Sequence, residues 1–173
     1  MLDGFVLRRT QAGDAGMIAD SIAANLDRLA AWMPWAVPAS ASLEGQRARI
    51  PGTMARWDEG LAYEYLAVLA DTGGHLGNFG LERRIGPGAL ELGYWLSQDA
   101  EGHGYATAAA RALTDVALNL PGITRVEIHC DQANLRSQAI PQRLGYRLDR
   151  IESDEIKTAN ETGRSMIWIY RRG

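Results

Sequence analysis

A glycine-containing turn that leads directly into a helix is the segment of this sequence best suited to do chemistry. Gly102 and Gly104 precede an apolar stripe at helical spacing, which runs from Ala106 to Ala117. Glycines let the backbone approach a ligand closely, and the first N–H groups of a helix lack internal partners and lie at the positive end of its dipole. The small side chains of Ala106 and Thr107 leave room beside those groups. This spacing predicts an anion site that suits a diphosphate, with an ordinary tight turn as the alternative.

Two familiar phosphate-binding motifs do not fit this turn. A dinucleotide-binding fingerprint needs a third glycine where Thr107 stands, and a Walker loop needs a Gly-Lys-Ser or Gly-Lys-Thr sequence that the chain lacks. Both motifs also belong to parallel sheets, whereas the strands before the turn are spaced like an antiparallel meander. A diphosphate site at this turn would therefore be of another kind.

A second pair of polar residues follows the predicted fifth strand. Asn134 and Ser137 lie three positions apart, so on a helix they share one face near the end of that strand. The residues alone favour an asparagine N-cap followed by a solvated serine. They also permit a site in which both side chains face a ligand.

Regular elements must position these residues, and the hydrophobic pattern predicts where those elements lie. Phe5–Arg9 is rich in β-formers, and apolar residues from Asp14 to Met33 recur at mostly helical spacing. The prolines of segment 32–38 end that helix. A second helix is predicted from about Ser42 to Trp57, with an interruption at Pro51-Gly52.

The rest of the chain predicts six further strands and two further helices. The next three strands are separated by glycine-rich turns, which is typical of an antiparallel meander. The predicted strands are 63–69, 76–85, 90–96, 124–130, 146–151 and 166–170, and the predicted helices are 104–120 and 134–144. Because no repeat or linker interrupts this pattern, residues 1–173 are predicted to form a single α/β domain of seven strands and about four helices.

Composition narrows the function classes. The 18 basic and 21 acidic residues give a net charge of −3 without any basic block, so direct nucleic-acid binding is not expected. The longest nearly apolar run, Leu29 to Ala39, is too short to span a bilayer and holds two prolines, so no membrane span is expected. A single cysteine fits a reducing compartment and predicts a cytoplasmic protein. None of the three histidines lies at metal-ligand spacing from another ligand, so no metal is expected.

Four segments together resemble the GNAT acetyltransferase superfamily, and within it the RimJ/RimL-type N-acetyltransferases of ribosomal proteins. They are Trp32–Trp35 after the first helix, Leu92–Ser97, Gly102–Thr107, and Asn134–Ser137 followed by Leu144–Tyr146. In that family the acetyl-CoA motif is Gln or Arg, two residues, Gly, one residue, then Gly or Ala. Gly104 and Ala106 match this motif, whereas Glu101 places a carboxylate where a donor is usual. Because the backbone donors of the turn remain, we expect weakened rather than absent diphosphate binding.

The resemblance implies a GNAT fold, an α/β (α+β) domain whose seven-stranded, mostly antiparallel mixed sheet is splayed between strands 4 and 5. It also implies that the cofactor is acetyl-CoA, with CoA as the product. The pantetheine arm would lie in the gap and pair with backbone groups of the fourth strand, from Tyr94, Trp95, Leu96 and Ser97. The Leu96 N–H would also polarise the thioester carbonyl. The diphosphate would meet the turn and helix start, formed by Gly102, His103, Gly104, Tyr105, Ala106 and Thr107.

The same resemblance assigns candidate roles on the predicted helix 134–144. Asn134 would contact the pantetheine arm or the substrate, and Ser137 would hydrogen-bond the sulfur and protonate the leaving thiolate. Pro141 is a second departure from the family, because its ring would clash with the Ser137 carbonyl and kink the helix at the proposed acid. Arg136 and Arg143 are candidates for the 3′-phosphate of CoA.

A general base is also needed, since the attacking amine must be neutral. Glu91 is the candidate, because its strand neighbours point to the other face and leave its carboxylate free to line the substrate groove, directly or through a water. The alternative for Glu91 is a solvated carboxylate on the strand surface. His129 and Glu127 are the next candidates for the general base. The acceptor groove is predicted to be lined by Trp32, Trp35, Tyr63, Glu91 and His129, with core packing as the alternative for the aromatic residues.

These expectations combine into an N-acetyltransferase that moves an acetyl group from acetyl-CoA directly to a primary amine. An α-amine gives the neutral form more readily near pH 7 than a lysine does, so a protein or peptide N-terminus is the preferred acceptor. A covalent acetyl-enzyme is not required, because Cys130 lies within a predicted strand.

Two alternatives stay open at this point. One is a small amine acceptor, such as an antibiotic, a polyamine or an aminoacyl compound, since one framework serves many acceptors. The other is a non-catalytic acyl-CoA-binding sensor, which Glu101 and Pro141 motivate. An exposed strand edge and the Trp32–Trp35 segment are also compatible with a homodimer.

Overall fold

The computed structural model describes residues 4–172, which form seven strands and five α-helices. The strands are β1 (Phe5–Arg9), β2 (Ala62–Leu69), β3 (His75–Glu82), β4 (Ala89–Leu96), β5 (Arg125–Asp131), β6 (Arg147–Ser153) and β7 (Arg164–Arg171). The helices are α1 (Ala15–Ala24), α2 (Leu26–Ala30), α3 (Leu43–Asp58), α4 (Tyr105–Asn119) and α5 (Leu135–Leu144). The prediction of one domain over residues 1–173 includes residues 1–3 and 173, which lie outside the described part.

All seven described strands belong to one mixed sheet, in the order β1-β2-β3-β4-β5-β7-β6. The three strands predicted as a meander, β2, β3 and β4, are antiparallel neighbours. β4 and β5 are parallel, and their pairing covers only Ala89–Glu91 and Arg125–Glu127. Beyond these residues the two strands separate and leave a gap in the middle of the sheet. The predicted mixed sheet, splayed between strands 4 and 5, is therefore confirmed.

Alternating side chains along the strands build a hydrophobic core on each face of the sheet. On one face, α4 and α5 pack over residues such as Leu92 and Val126, which are almost completely buried. On the other face, α1 and α3 pack over Leu66, Val68 and Trp95. We call the face on which α1 and α3 pack the α1/α3 face. The same alternation of side chains places the polar residues of β4 and β5 on this face.

The predicted helix over residues 14–33 is two helices, which is why there are five helices instead of about four. α1 and α2 are separated by Asn25, whose backbone leaves the helical region (φ −120°, ψ 10°). The Asn25 side-chain amide donates to the Ser21 carbonyl at 2.8 Å and satisfies part of the open helix end. α2 then lies near the end of β4, where Arg28 contacts the Leu96 carbonyl.

The predicted interruption of the second helix at Pro51-Gly52 is wrong. α3 continues through Pro51 as one helix of 16 residues, and it begins at the predicted N-cap, where Ser42 Oγ accepts from the Gly45 N–H at 3.0 Å. Pro51 cannot donate to the Arg47 carbonyl. Since both residues are exposed, water can take the place of that donor.

Candidate active site

The gap between β4 and β5 exposes the backbone of β4 to a cavity of about 750 Å³. Ser97 N donates to Leu76 O at 2.9 Å, so alternate residues of β4 bond to β3 in this antiparallel pair. The backbone groups of Tyr94 and Leu96 therefore point away from β3 and into the gap. The backbone groups of Trp95 and Ser97 point toward β3 instead. Of the four residues predicted to pair with pantetheine, only Tyr94 and Leu96 thus direct backbone groups there, and the Leu96 carbonyl already accepts from Arg28.

The turn before α4 has the free donors that an anion site needs. Gly102 and Gly104 have φ angles of 78° and 82°, a left-handed conformation that favours glycine. Gly104 is the N-cap of α4, and His103 stacks on Tyr105 at a ring separation of 5.8 Å. Among residues 4–172, no N–H group from Gly102 to Thr107 donates to a backbone or side-chain acceptor. These unpartnered donors fit the diphosphate of CoA.

Glu101, the residue that departs from the family motif, has both carboxylate oxygens paired with arginines. Its Oε1 accepts from Arg28 Nη1 and its Oε2 accepts from Arg136 Nη1, both at 2.5 Å. Arg28 also donates through Nη2 to Leu96 O and to Asn25 Oδ1. The cluster holds two guanidinium groups and one carboxylate, so its charge beside the turn is positive. The repulsion expected from Glu101 alone is therefore offset.

The first turn of α5 brings Asn134 and Ser137 to the cavity. Asn134 Oδ1 accepts from the Ser137 N–H at 3.1 Å, so the N-cap that the residues alone favoured is present. Both residues also line the cavity, where the Tyr94 hydroxyl lies 3.4 Å from Ser137 Oγ. Of the two arginines predicted for the 3′-phosphate, Arg136 lies in this first turn and Arg143 in the last.

Pro141 does not interrupt α5, which continues to Leu144. A proline has no N–H, so the carbonyl four residues earlier, that of Ser137, lacks its usual helical donor. Tyr94 Oη donates to this carbonyl at 3.1 Å. A side chain from the sheet thus replaces the missing bond of the helix.

Cys130 lines the same cavity without the properties of a nucleophile. Its side chain is buried within β5. Burial raises the pKa of the Cys130 thiol to about 11, although the nearby polar groups of Ser137 and Trp168 act to lower it. A thiol with such a pKa stays protonated near neutral pH, and only the thiolate attacks an acyl group readily.

The α1/α3 face carries the predicted acceptor residues Glu91 and His129. Arg84 engages both carboxylate oxygens of Glu91, at 2.5 and 2.7 Å. His129 Nε2 lies 2.8 Å from Glu127 Oε2, and His129 Nδ1 lies 3.9 Å from Glu91 Oε2. Burial acts to raise the pKa of Glu127, but hydrogen bonds from Arg125 and His129 hold it below its usual value. An ionised Glu127 can only accept, so in the neutral form of the His129 ring Nε2 carries the proton and Nδ1 has the lone pair.

The predicted aromatic floor of the groove is only partly present. Trp32 and Trp35 line the cavity, and the Trp35 ring lies 6.2 Å from that of Trp95. Tyr63 does not reach the groove, because its side chain packs with the core on the opposite face and against Trp57, at a ring separation of 5.2 Å. The next residue of β2, Glu64, faces the cavity instead.

Several features of the site could not be read from the sequence. Arg28 reaches Glu101 from 73 residues away, and Gly80 lies opposite Gly93 across β3 and β4. The loop between β6 and β7 supplies Lys157 and several carboxylates to one end of the cavity. Around the cavity, three cations (Arg49, Arg84 and Lys157) stand against seven carboxylates, from Glu64, Glu82, Glu91, Asp131, Asp154, Glu155 and Glu161.

Two further properties concern the described part of the chain. Among residues 4–172, no three His, Cys, Asp or Glu side chains form a cluster that could hold a metal ion. No helix in the same range has the length and apolar character needed to cross a membrane.

A splayed pair of strands, a turn with free N–H donors and a hydroxyl at the gap define a class of enzyme that transfers an acyl group from a CoA thioester. Residues 5–147 match the family model of the acetyltransferase (GNAT) domain. The chain belongs to this family and is an acetyl-CoA-dependent N-acetyltransferase, as the motifs predicted.

Known proteins of this kind resemble the chain over most of its length. The "putative ribosomal N-acetyltransferase YdaF" of Bacillus subtilis (strain 168) is 30% identical over 142 residues, which cover 81% of this chain and 76% of YdaF. The structure of RimL, a ribosomal L7/L12 α-N-protein acetyltransferase in complex with CoA, has a TM-score of 0.89 at 20% identity and covers 98% of this chain and 95% of RimL. The microcin C7 self-immunity acetyltransferase MccE, in complex with acetyl-CoA and AMP, has a TM-score of 0.88 at 19% identity and covers 99% and 94% of the two chains.

Proposed function

We propose that this acetyltransferase acts on the N-terminal α-amine of a protein or peptide. The observation that carries the proposal is that one cavity joins the β4–β5 gap to a trough along the α1/α3 face. Gly80 and Gly93 lie opposite each other in that trough, so no side chain fills its floor. Carboxylates outnumber cations around it. A trough of this kind accommodates an extended peptide end, and its negative lining attracts a protonated amine.

The descriptions of two similar proteins support the same acceptor class. YdaF is named for ribosomal N-acetylation, and RimL is described as acting on the α-amine of L7/L12. Acceptors of that kind are made in the cytoplasm, which agrees with the location predicted from the single cysteine. MccE is described by a different role, self-immunity to microcin C7, so the fold by itself does not select the acceptor.

Ser137 is the proposed general acid. Acetyl-CoA, when bound, supplies the acyl group as a thioester. The Leu96 N–H points into the gap and would polarise the acyl carbonyl while the amine forms its C–N bond. Ser137 Oγ, which lies at the gap beside Tyr94, would donate its proton to the thiolate as the C–S bond breaks and would regain a proton from water.

The proton of the attacking amine passes to the pair formed by Glu91 and His129. Glu91, the base predicted from the sequence, has both oxygens engaged by Arg84, whereas His129 presents an open Nδ1. We therefore assign the proton to His129 Nδ1. Glu127 fixes the ring tautomer, and Glu91, 3.9 Å away, stabilises the imidazolium that results.

Competition between three acceptor sets tests the proposed acceptor. The first set is peptides with a free N-terminus and blocked lysines, the second is the same peptides with a blocked N-terminus and a free lysine, and the third is spermidine and an aminoglycoside. We expect acetylation of the first set at the α-amine, located by mass spectrometry, with the highest kcat/KM. Preference for the third set would show a small-amine acetyltransferase. CoA binding without turnover of any set would show a sensor.

The same assay tests the assigned base. His129→Gln removes the Nδ1 acceptor and should lower kcat about 100-fold, within the range of general-base catalysis. Glu91→Gln keeps that acceptor and should have a smaller effect, because only the charge that stabilises the imidazolium is lost. An equal loss in both variants would make Glu91 a direct participant in the proton transfer.

A further inference from the structure

The Ser137 carbonyl occupies an unusual position in α5. Backbone carbonyls inside an α-helix accept from the N–H four residues later, and here that residue is Pro141. The carbonyl is therefore an orphan acceptor in the first turn of the helix, on the residue that carries the proposed acid. A buried carbonyl without a donor costs stability and leaves its peptide plane free to tilt.

The donor comes from the sheet. Tyr94 Oη lies 3.1 Å from Ser137 O and 3.4 Å from Ser137 Oγ, so the tyrosine hydroxyl spans the main chain and the side chain of the same residue. The Tyr94 ring is itself packed, with its centre 5.9 Å from that of Phe79, which is fully buried. The hydroxyl is therefore held in place by β3 and β4.

The Tyr94 hydroxyl keeps its proton near neutral pH and therefore remains a donor. Burial raises the pKa of its hydroxyl well above the ordinary value, and the hydrogen bond with Ser137 lowers it only in part. A phenol has one proton, and geometry commits that proton to the carbonyl at the shorter distance. The Ser137 hydroxyl therefore keeps its own proton and can donate it to Tyr94 Oη, 3.4 Å away, or to another acceptor.

We infer that Tyr94 is a positioning residue for Ser137: its hydroxyl supplies the hydrogen bond that Pro141 removes from α5 and so fixes the orientation of the Ser137 hydroxyl at the β4–β5 gap. The inference rests on the proposed role of Ser137 as the general acid. Tyr94 is not itself the proton donor in this arrangement. The two residues act as one unit in which the sheet sets the position of the acid and the helix carries it.

A double-mutant cycle tests this inference, because Pro141→Ala restores the missing backbone N–H. Tyr94→Phe removes the sheet donor and should lower kcat about tenfold or more through misplacement of the acid. Pro141→Ala alone should stay near wild type. In the double variant the restored N–H at position 141 can donate to Ser137 O, so kcat should recover to within about threefold of wild type. Tyr63→Phe, a tyrosine outside the groove, is the matched control and should change nothing.

Two measurements independent of turnover accompany the cycle. Calorimetry with CoA should give a Kd for Tyr94→Phe within about twofold of wild type. The reason is that the substitution leaves the Leu96 backbone and the turn before α4 available to CoA. Hydrogen exchange should show the restored amide at position 141 protected in the double variant. Circular dichroism establishes that each variant is folded at the assay temperature.

The outcomes separate this inference from the role of Ser137. If Ser137→Ala lowers kcat about 100-fold while Tyr94→Phe is neutral, the acid stands and the positioning role is overturned. If Tyr94→Phe is as damaging as Ser137→Ala and Pro141→Ala gives no rescue, Tyr94 acts directly. If Ser137→Ala is neutral, the proposed acid fails whatever the tyrosine does.

Discussion

At Glu101, two guanidinium groups share one carboxylate beside the turn that we propose holds the diphosphate of CoA. Arg28 and Arg136 each donate to a different oxygen at 2.5 Å. The side chains of Glu101 and Arg28 are about one-third exposed and that of Arg136 is largely exposed, so solvent screening keeps the contribution of these pairs to folding small. The larger effect is on the field at the turn, because the carboxylate cancels one of two positive charges beside an anion site.

Glu101→Gln is therefore expected to tighten CoA binding. The amide keeps the shape of the side chain, removes one negative charge and restores the residue type of the family motif. At low salt the Kd for CoA should fall about tenfold, which corresponds to about 1.4 kcal/mol. At high salt the decrease should be smaller, because salt screens the charge. Calorimetry with CoA at two salt concentrations measures this. Asp115→Asn, on the exposed side of α4, makes the same charge change away from the turn and is the control. Weaker binding in Glu101→Gln would instead mean that the carboxylate holds the arginines toward the phosphates.

At the scale of elements, β3 and β4 approach so closely that one position has no room for a side chain. A Cβ atom on Gly77 would lie 2.1 Å from the carbonyl oxygen of Trp95. Gly77 is paired with Leu96, so this approach sets where the Leu96 backbone enters the gap. A Cβ atom on Gly80 of the same strand would meet nothing within 4 Å.

Two glycine-to-alanine changes in β3 should thus have different effects. Gly77→Ala forces β3 and β4 apart and should cost about 3 kcal/mol of unfolding free energy, with weaker CoA binding. Gly80→Ala should change stability by less than about 1 kcal/mol, because its Cβ has space. It should raise the KM for the acceptor, since the methyl group narrows the trough. Urea unfolding and steady-state kinetics measure both effects, and equal stability of the two variants would contradict the packing argument.

At the scale of the whole molecule, charge is unevenly distributed. The net charge is only −3, yet seven carboxylates and three cations surround the cavity. Much of this acidity comes from the loop between β6 and β7, at one end of the trough. Low-dielectric walls concentrate such a field and raise the local concentration of cationic acceptors. A homodimer across the exposed edges of the sheet stays a prediction.

Glu155→Gln should expose this steering. For peptides with a free N-terminus followed by arginine, kcat/KM should fall about two- to threefold, and its decrease with rising salt should become shallower. For peptides with aspartate at the second position the effect should reverse. Asp115→Asn again serves as the control for the charge change. An unchanged salt dependence in Glu155→Gln would place the acceptor outside this end of the cavity.

Local pattern was sufficient for most of the fold. The glycine-rich turns that separate β2, β3 and β4 and the helical stripe after Gly104 predicted these elements to within a few residues, because turns and one-sided burial leave local signals. The resemblance of the motifs to the GNAT family then implied the splayed sheet and the cofactor. Two local signals were wrong: Asn25 ends a helix that the apolar spacing continues, and Pro51 is tolerated on an exposed helix face.

The residue sequence by itself predicted the glycine turn and the helix that carries Ser137, since these depend on neighbours along the chain, and its motifs resembled a family that implied the cofactor. Only the tertiary structure decided which partners those residues have. Arg28 neutralises Glu101, Arg84 engages Glu91, and Tyr94 completes the helix at Pro141. Each of these contacts joins elements whose distance in space depends on how helices and strands pack, and no spacing along the chain encodes that distance.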